Sequence, residues 1–116
     1  LEYATTPELV VAMLQRIDHP ALGLTLDLAH QFSNGDELRL DALLTHIIHV
    51  HVSGSTRDRV HVPLAEGIYA LEPALAALEQ AFGGMVVIEG YVRGRARETL
   101  ADNLRVMTEL LNPPAP

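Results

Sequence analysis

Four residues of this chain stand where a parallel α/β fold places its chemistry. Glu2, Asp27, His51 and Glu89 each lie at the end of a short apolar or β-branched segment: Leu1-Glu2-Tyr3, Leu22 to Leu28, Ile47 to Ser53, and Met85 to Glu89. The carboxyl ends of parallel strands collect reactive side chains because the loops that follow them converge there. Alternation along a strand gives three of the four a common interior: Asp27 keeps the face of Gly23 and Thr25, His51 that of His49, and Glu89 that of Met85 and Val87. Three carboxylates and one imidazole provide hard oxygens and a borderline nitrogen. That set suits one divalent ion, Mn2+ ahead of Co2+, Mg2+ or Zn2+, with open positions for substrate oxygens. Without a cation, three converging carboxylates would repel one another.

The surrounding pattern predicts the elements that must position these residues. Thr6, Pro7 and Glu8 have the order of an N-cap, a first-turn proline and a dipole-favoured acid, and Leu9, Val10, Met13, Leu14 and Ile17 repeat with helical spacing. A helix over 7–17 is expected, followed by a strand over 22–28 in which Leu22, Leu24 and Leu26 share the outer face. A short helix over 40–45 and a strand over 47–53 come next, then a long connection over 54–68. An alanine-rich helix over 72–82 ends at Gly83-Gly84, a strand over 85–89 follows, and a last helix over 96–111 carries the apolar stripe Leu100, Leu104, Met107 and Leu111. Strands alternating with helices predict parallel strands joined by right-handed crossovers. Counting Leu1-Glu2-Tyr3 as the end of a strand, the chain holds four βα units, whereas a closed barrel takes eight and about 250 residues. The expected fold is therefore α/β, the carboxyl-terminal half of a (β/α)8 barrel over residues 1–112, with a Pro-rich tail at 113–116.

Composition narrows the chemistry further. The chain has 116 residues, of which 48% are hydrophobic, enough for one modest domain with a core. It has no cysteine, so disulfides, thiolate ligands and a cysteine nucleophile are excluded. All eight basic residues are Arg, which removes Schiff-base chemistry and the phosphate-gripping lysine of Walker-type loops. A net charge of −7 argues against nucleic acid, whose non-specific affinity depends on Lys and Arg releasing counterions. No apolar run approaches the roughly 18 residues of a membrane span, so no membrane partner and a cytoplasmic location are expected. An isolated half barrel would expose two sheet edges and an apolar interior. Pairing with an amino-terminal half, or with a second copy as a homo-oligomer, is expected.

At the strand ends the sequence resembles the xylose-isomerase-like barrels, which include sugar phosphate isomerases, ketose 3-epimerases, inosose dehydratases and endonuclease IV. The resemblance is carried by Leu1-Glu2-Tyr3, by Gly23 to His30 with its Asp-x-x-His, by His49-Val50-His51-Val52-Ser53, by His61 to Gly67, and by Val86-Val87-Ile88-Glu89. It implies that Glu2, Asp27, His51 and Glu89 are metal ligands and that His30 contacts substrate. Glu2 and Glu89 would exchange a proton on opposite faces of an enediolate, making the chain part of a metal-dependent isomerase or epimerase of a small sugar, sugar phosphate or polyol ketone. Arg57, six residues after His51, matches a substrate-binding arginine of ketose epimerases, and His61 joins it as a substrate contact.

Two departures from the family bear on this reading. Gly54 stands where many relatives have an acid after the ligand histidine. Arg59-Val60-His61 stands where endonuclease IV has Asp-x-His for a second metal, which weakens a nuclease reading and favours a single ion. Plainer readings compete at several positions. Glu2 is a frayed end, His49 is structural or supports His51, and Arg93, Arg95 and Arg97 are solvated charges beside the last helix. The alternatives in function are an endonuclease IV-like phosphodiesterase and a catalytically silent half barrel that only completes a fold.

Overall fold

The computed structural model describes residues 6–33 and 40–112. The expected strand end at Leu1-Glu2-Tyr3, with Glu2, and the Pro-rich tail lie outside the described residues. The elements are α1 (Pro7–Ile17), β1 (Leu24–Asp27), α2 (Leu28–Ser33), a 3-10 turn at Leu44–His46, β2 (Ile47–Val52), a second 3-10 turn at Leu64–Glu66, α3 (Glu72–Ala81), β3 (Met85–Ile88) and α4 (Ala96–Leu111). The three strands form a parallel sheet in the order β1-β2-β3. Parallel strands joined through helices make this part of a (β/α)8 barrel.

Local chemistry accounts for the element ends. The Thr6 hydroxyl accepts the Leu9 N–H at 3.3 Å to cap α1, and Asp18, left-handed at φ 44°, closes it by donating its N–H to Leu14. β1 is shorter than the expected 22–28 strand at both ends. Leu22 belongs to a turn, with its N–H on the His19 carbonyl, and Leu28 already belongs to α2. α2 is absent from the sequence reading because its six residues are too few for a helical period to show. The Asp27 carboxylate starts it by accepting the His30 N–H at 3.2 Å, a capping contact. The helix expected over 40–45 is replaced by turns and one 3-10 turn. Leu40 and Leu43 are buried there, and the Leu40 carbonyl takes the N–H groups of both Leu43 and Leu44, which tightens the chain below an α-helical pitch.

The outer face of the sheet builds the core. Leu26, Val50 and Val52 meet Leu28, Ala74, Leu75, Leu78 and Met107 from the helices. α4 corrects the sequence reading: of its expected stripe only Met107 is buried, while Leu100, Leu104 and Leu111 are half exposed. The buried row is Thr99, Asn103 and Met107, spaced by four, so the helix is turned from the orientation that hydropathy predicts. Asn103 explains this. It is 1% exposed; its Oδ1 accepts the Leu64 N–H at 2.8 Å and its Nδ2 donates to the Gly90 carbonyl at 2.6 Å. A buried amide that satisfies two backbone groups fixes a helix face more firmly than a leucine that could face either way.

The inner face carries polar residues in layers. Strand pairing sets Thr25 beside His49 and His49 beside Met85, and one layer up sets Asp27 beside His51 and His51 beside Val87. Glu89 follows β3, tied to the sheet by its N–H on the Val52 carbonyl at 2.9 Å.

Candidate metal centre

Strand pairing brings three of the four expected ligands together. Ligand atoms of Asp27, His51 and Glu89 all lie within 4.8 Å of one another, each residue partly buried. Two atoms bound about 2.2 Å from one ion are at most about 4.4 Å apart, so shifts of a few tenths of an ångström close the shell. His51 Nδ1 is 2.9 Å from Glu89 Oε1, and a cation between them would take the place of that hydrogen bond. Two carboxylates and an imidazole therefore fit a divalent ion in both donor type and spacing. Glu2, the fourth expected ligand, lies outside the described residues.

A second group shares Asp27. Ligand atoms of Asp27, His30 and His61 also lie within 4.8 Å of one another. His61 Nε2 sits 3.1 Å from His30 Nε2, and its Nδ1 lies 3.3 Å from both Glu89 Oε2 and the Ser53 hydroxyl. These contacts are all satisfied by one tautomer set. His51 and His61 donate their Nδ1–H to the two Glu89 oxygens, and His30 donates its Nε2–H to His61 Nε2. In that tautomer set Glu89 accepts from two imidazoles, and His61 links it to His30 at the exposed rim.

His61 gets there by an unusual backbone. It is left-handed at φ 58°, a conformation that costs about 1 kcal/mol or more in a residue with a Cβ. The next residue, Val62, pairs with Gly54 in an antiparallel bridge, Gly54 N–H to Val62 O at 2.9 Å and Val62 N–H to Gly54 O at 3.1 Å. A Cβ on Gly54 would strike the Pro63 carbonyl, and one on Gly90 would strike the Val62 carbonyl. The glycine where relatives have an acid is therefore a steric requirement of the bridge that delivers His61.

The other expected contacts divide. His30 and His61 join the site. Arg57 does not; it is exposed on the connecting loop and has no ion pair among the described residues. His49 stacks edge-on against His51 with ring centroids 4.9 Å apart, in line with a supporting role beneath the ligand. Sequence reasoning assigns no role to Ser53 or Asn103. Asn103 is visible in hindsight as the one amide in the middle of a helix that is otherwise read for its leucines, whereas Ser53 carries no comparable signal.

Parallel strands joined through helices, with two carboxylates and an imidazole gathered at their carboxyl ends, define a segment of a (β/α)8 barrel. Residues 2–110 match the model of the xylose isomerase-like TIM barrel family, and the chain belongs to that family. The family includes sugar isomerases and epimerases and endonuclease IV-like enzymes, and it often binds divalent metals. No curated protein shows significant similarity to the chain. No helix among the described residues is long and apolar enough to cross a membrane.

Proposed function

We propose that the chain forms the carboxyl-terminal half of a divalent-metal-dependent isomerase or epimerase of a small sugar, sugar phosphate or related polyol ketone. The observation that carries this reading is the convergence of Asp27, His51 and Glu89 within 4.8 Å at the strand ends. A divalent ion held there, Mn2+ in first place, supplies a Lewis acid for the oxyanion that develops at a substrate carbonyl. Glu89 takes the proton from the carbon beside that carbonyl, and the electron pair left behind gives an enediolate. With the ion in place of the contact between His51 and Glu89, the Nδ1–H of His61 holds the other oxygen of that carboxylate for the transfer. Glu2 is assigned the complementary proton delivery and the fourth ligand position, and His30 and His61 contact substrate hydroxyls.

The test is metal removal from the intact protein, Mn2+ restoration and an assay of ketose epimerisation. Activity should vanish and return with the ion, and Glu89→Gln should lower turnover by about 10²- to 10⁴-fold, the usual worth of a positioned acid-base group. Unchanged turnover in Glu89→Gln refutes the role of that glutamate.

A second reading, metal-dependent phosphodiester hydrolysis, draws on the Asp27, His30 and His61 group, since paired ions suit in-line displacement at phosphorus. Arg59, standing where a carboxylate would complete that second site, weighs against it. Salt-sensitive binding of an abasic duplex would support it, and no binding at low salt would dismiss it.

Pairing with an amino-terminal half barrel, or with a second copy, is part of the proposal. Leu9, Met13 and Ile17 on α1 and Leu100, Leu104 and Leu111 on α4 are all about half exposed and form rows fit for neighbouring barrel helices.

A further inference from the structure

We infer that a cleft beside the metal centre is an anion subsite, in which Arg59 and Arg93 bind the phosphate of a phosphorylated small polyol. This deepens the isomerase reading and rests on it. The cleft, of about 570 Å³, is lined by Arg59, His61, Glu66, Tyr91 and Arg93 together with the apolar residues between them. Its volume falls within the range of small-molecule sites. His61 is shared by the two: its ring nitrogens contact Glu89 and His30, and the same residue lines the cleft. Arg59 is two residues before His61, and Arg93 four residues after Glu89, so each guanidinium is tied by a short backbone run to a residue of the centre.

The charges are arranged for a ligand. Two of the eight arginines in a chain of net charge −7 line this one cleft. Arg93 has no ion pair among the described residues. Among the described residues Arg59 pairs only with Glu66, at 3.8 Å, too long for a hydrogen bond and easily displaced by a stronger acceptor. Guanidinium groups suit a phosphate because their planar forks give parallel N–H donors to its oxygens. Tyr91, 65% exposed, offers a ring against which the carbon chain of a polyol can lie. A nucleic-acid backbone is a poorer fit, because it needs a continuous basic track, and Glu66 interrupts this one.

The experiment titrates inorganic phosphate into the intact, chelator-treated protein at low ionic strength, read by calorimetry and by the Arg Nε–Hε resonances. Saturable one-to-one binding in the millimolar range is expected, with Arg93→Gln and Arg59→Gln each weakening it about fivefold and Glu66→Gln tightening it about twofold. Sulfate should compete and acetate should not. Absence of saturation by about 20 mM phosphate, wild-type affinity in both arginine variants, or acetate competing as well as sulfate would each overturn the phosphate assignment. Mn2+ uptake by untreated samples separates the two proposals. Phosphate binding without Mn2+ uptake removes the metal reading alone, and Mn2+ uptake without phosphate binding removes the cleft alone.

Discussion

Two sets of side chains meet at the same rim and are held there by different means. Asp27, His51 and Glu89 stand on or next to strands, and the pairing of β1, β2 and β3 fixes their heights and faces. His61 and Arg59 stand on the long connection between β2 and α3, where the backbone must be fixed by particular residues. Gly54 makes the bridge to Val62, His61 accepts a left-handed turn, and Asn103 reaches from α4 to hold Leu64 and Gly90. Ladder hydrogen bonds are supplied by any sequence that forms the sheet, whereas the loop depends on a few side chains with no substitutes. Single substitutions should therefore dislodge the loop-borne set and spare the strand-borne one.

The largest effect should come from Asn103→Leu. It leaves the Leu64 N–H and the Gly90 carbonyl buried without partners and should cost about 3 kcal/mol in urea-induced unfolding. If the comparison holds, the imidazole nitrogen resonances of His61 and His30 shift in this variant, and those of His51 do not. A smaller loss, about 2 kcal/mol, is expected for Gly54→Ala, whose Cβ collides with the Pro63 carbonyl. Stability equal to wild type there would show that the bridge yields easily and that the loop-borne set tolerates substitution as the strand-borne set does. The smallest effect has the opposite sign. His61→Gly removes the left-handed strain and should leave the fold up to about 1 kcal/mol more stable by thermal denaturation, while Mn2+ affinity at Asp27, His51 and Glu89 changes little. A fall in that affinity as large as the one in Asp27→Asn would merge the two sets into one.

The same contrast explains what the sequence reveals. Strand ends are legible because period-two alternation and β-branched runs are properties of contiguous residues, so Asp27, His51 and Glu89 could be assigned to one interior before any contact was known. α1, α3 and α4 are legible from caps, glycines and helical spacing. The tilt of α4 is not, because Leu100 and Leu104 fit a buried stripe as well as Asn103 fits a solvated face, and only Leu64 and Gly90, far away in sequence, decide between them. α2 is hidden by its length and by the strand that runs straight into it. His61 is visible as a histidine on a loop, but its approach to Glu89 depends on the bridge between Gly54 and Val62. Arg59 and Arg93 are 34 residues apart, with a 3-10 turn, α3 and β3 between them, and no local pattern announces that they line one cleft.

The layered pairing of the inner face has one more consequence, for how such a chain can change over generations. Exchange of one outward-facing apolar residue for another leaves Thr25, His49 and Met85, and above them Asp27 and His51, on the same side of the sheet. Adding or deleting a single residue within β2 would reverse every later side chain in that strand, turning both imidazoles toward the helices and the valines toward the cavity. Drift by substitution is thus compatible with a preserved centre, whereas changes in length are confined to the connections between elements.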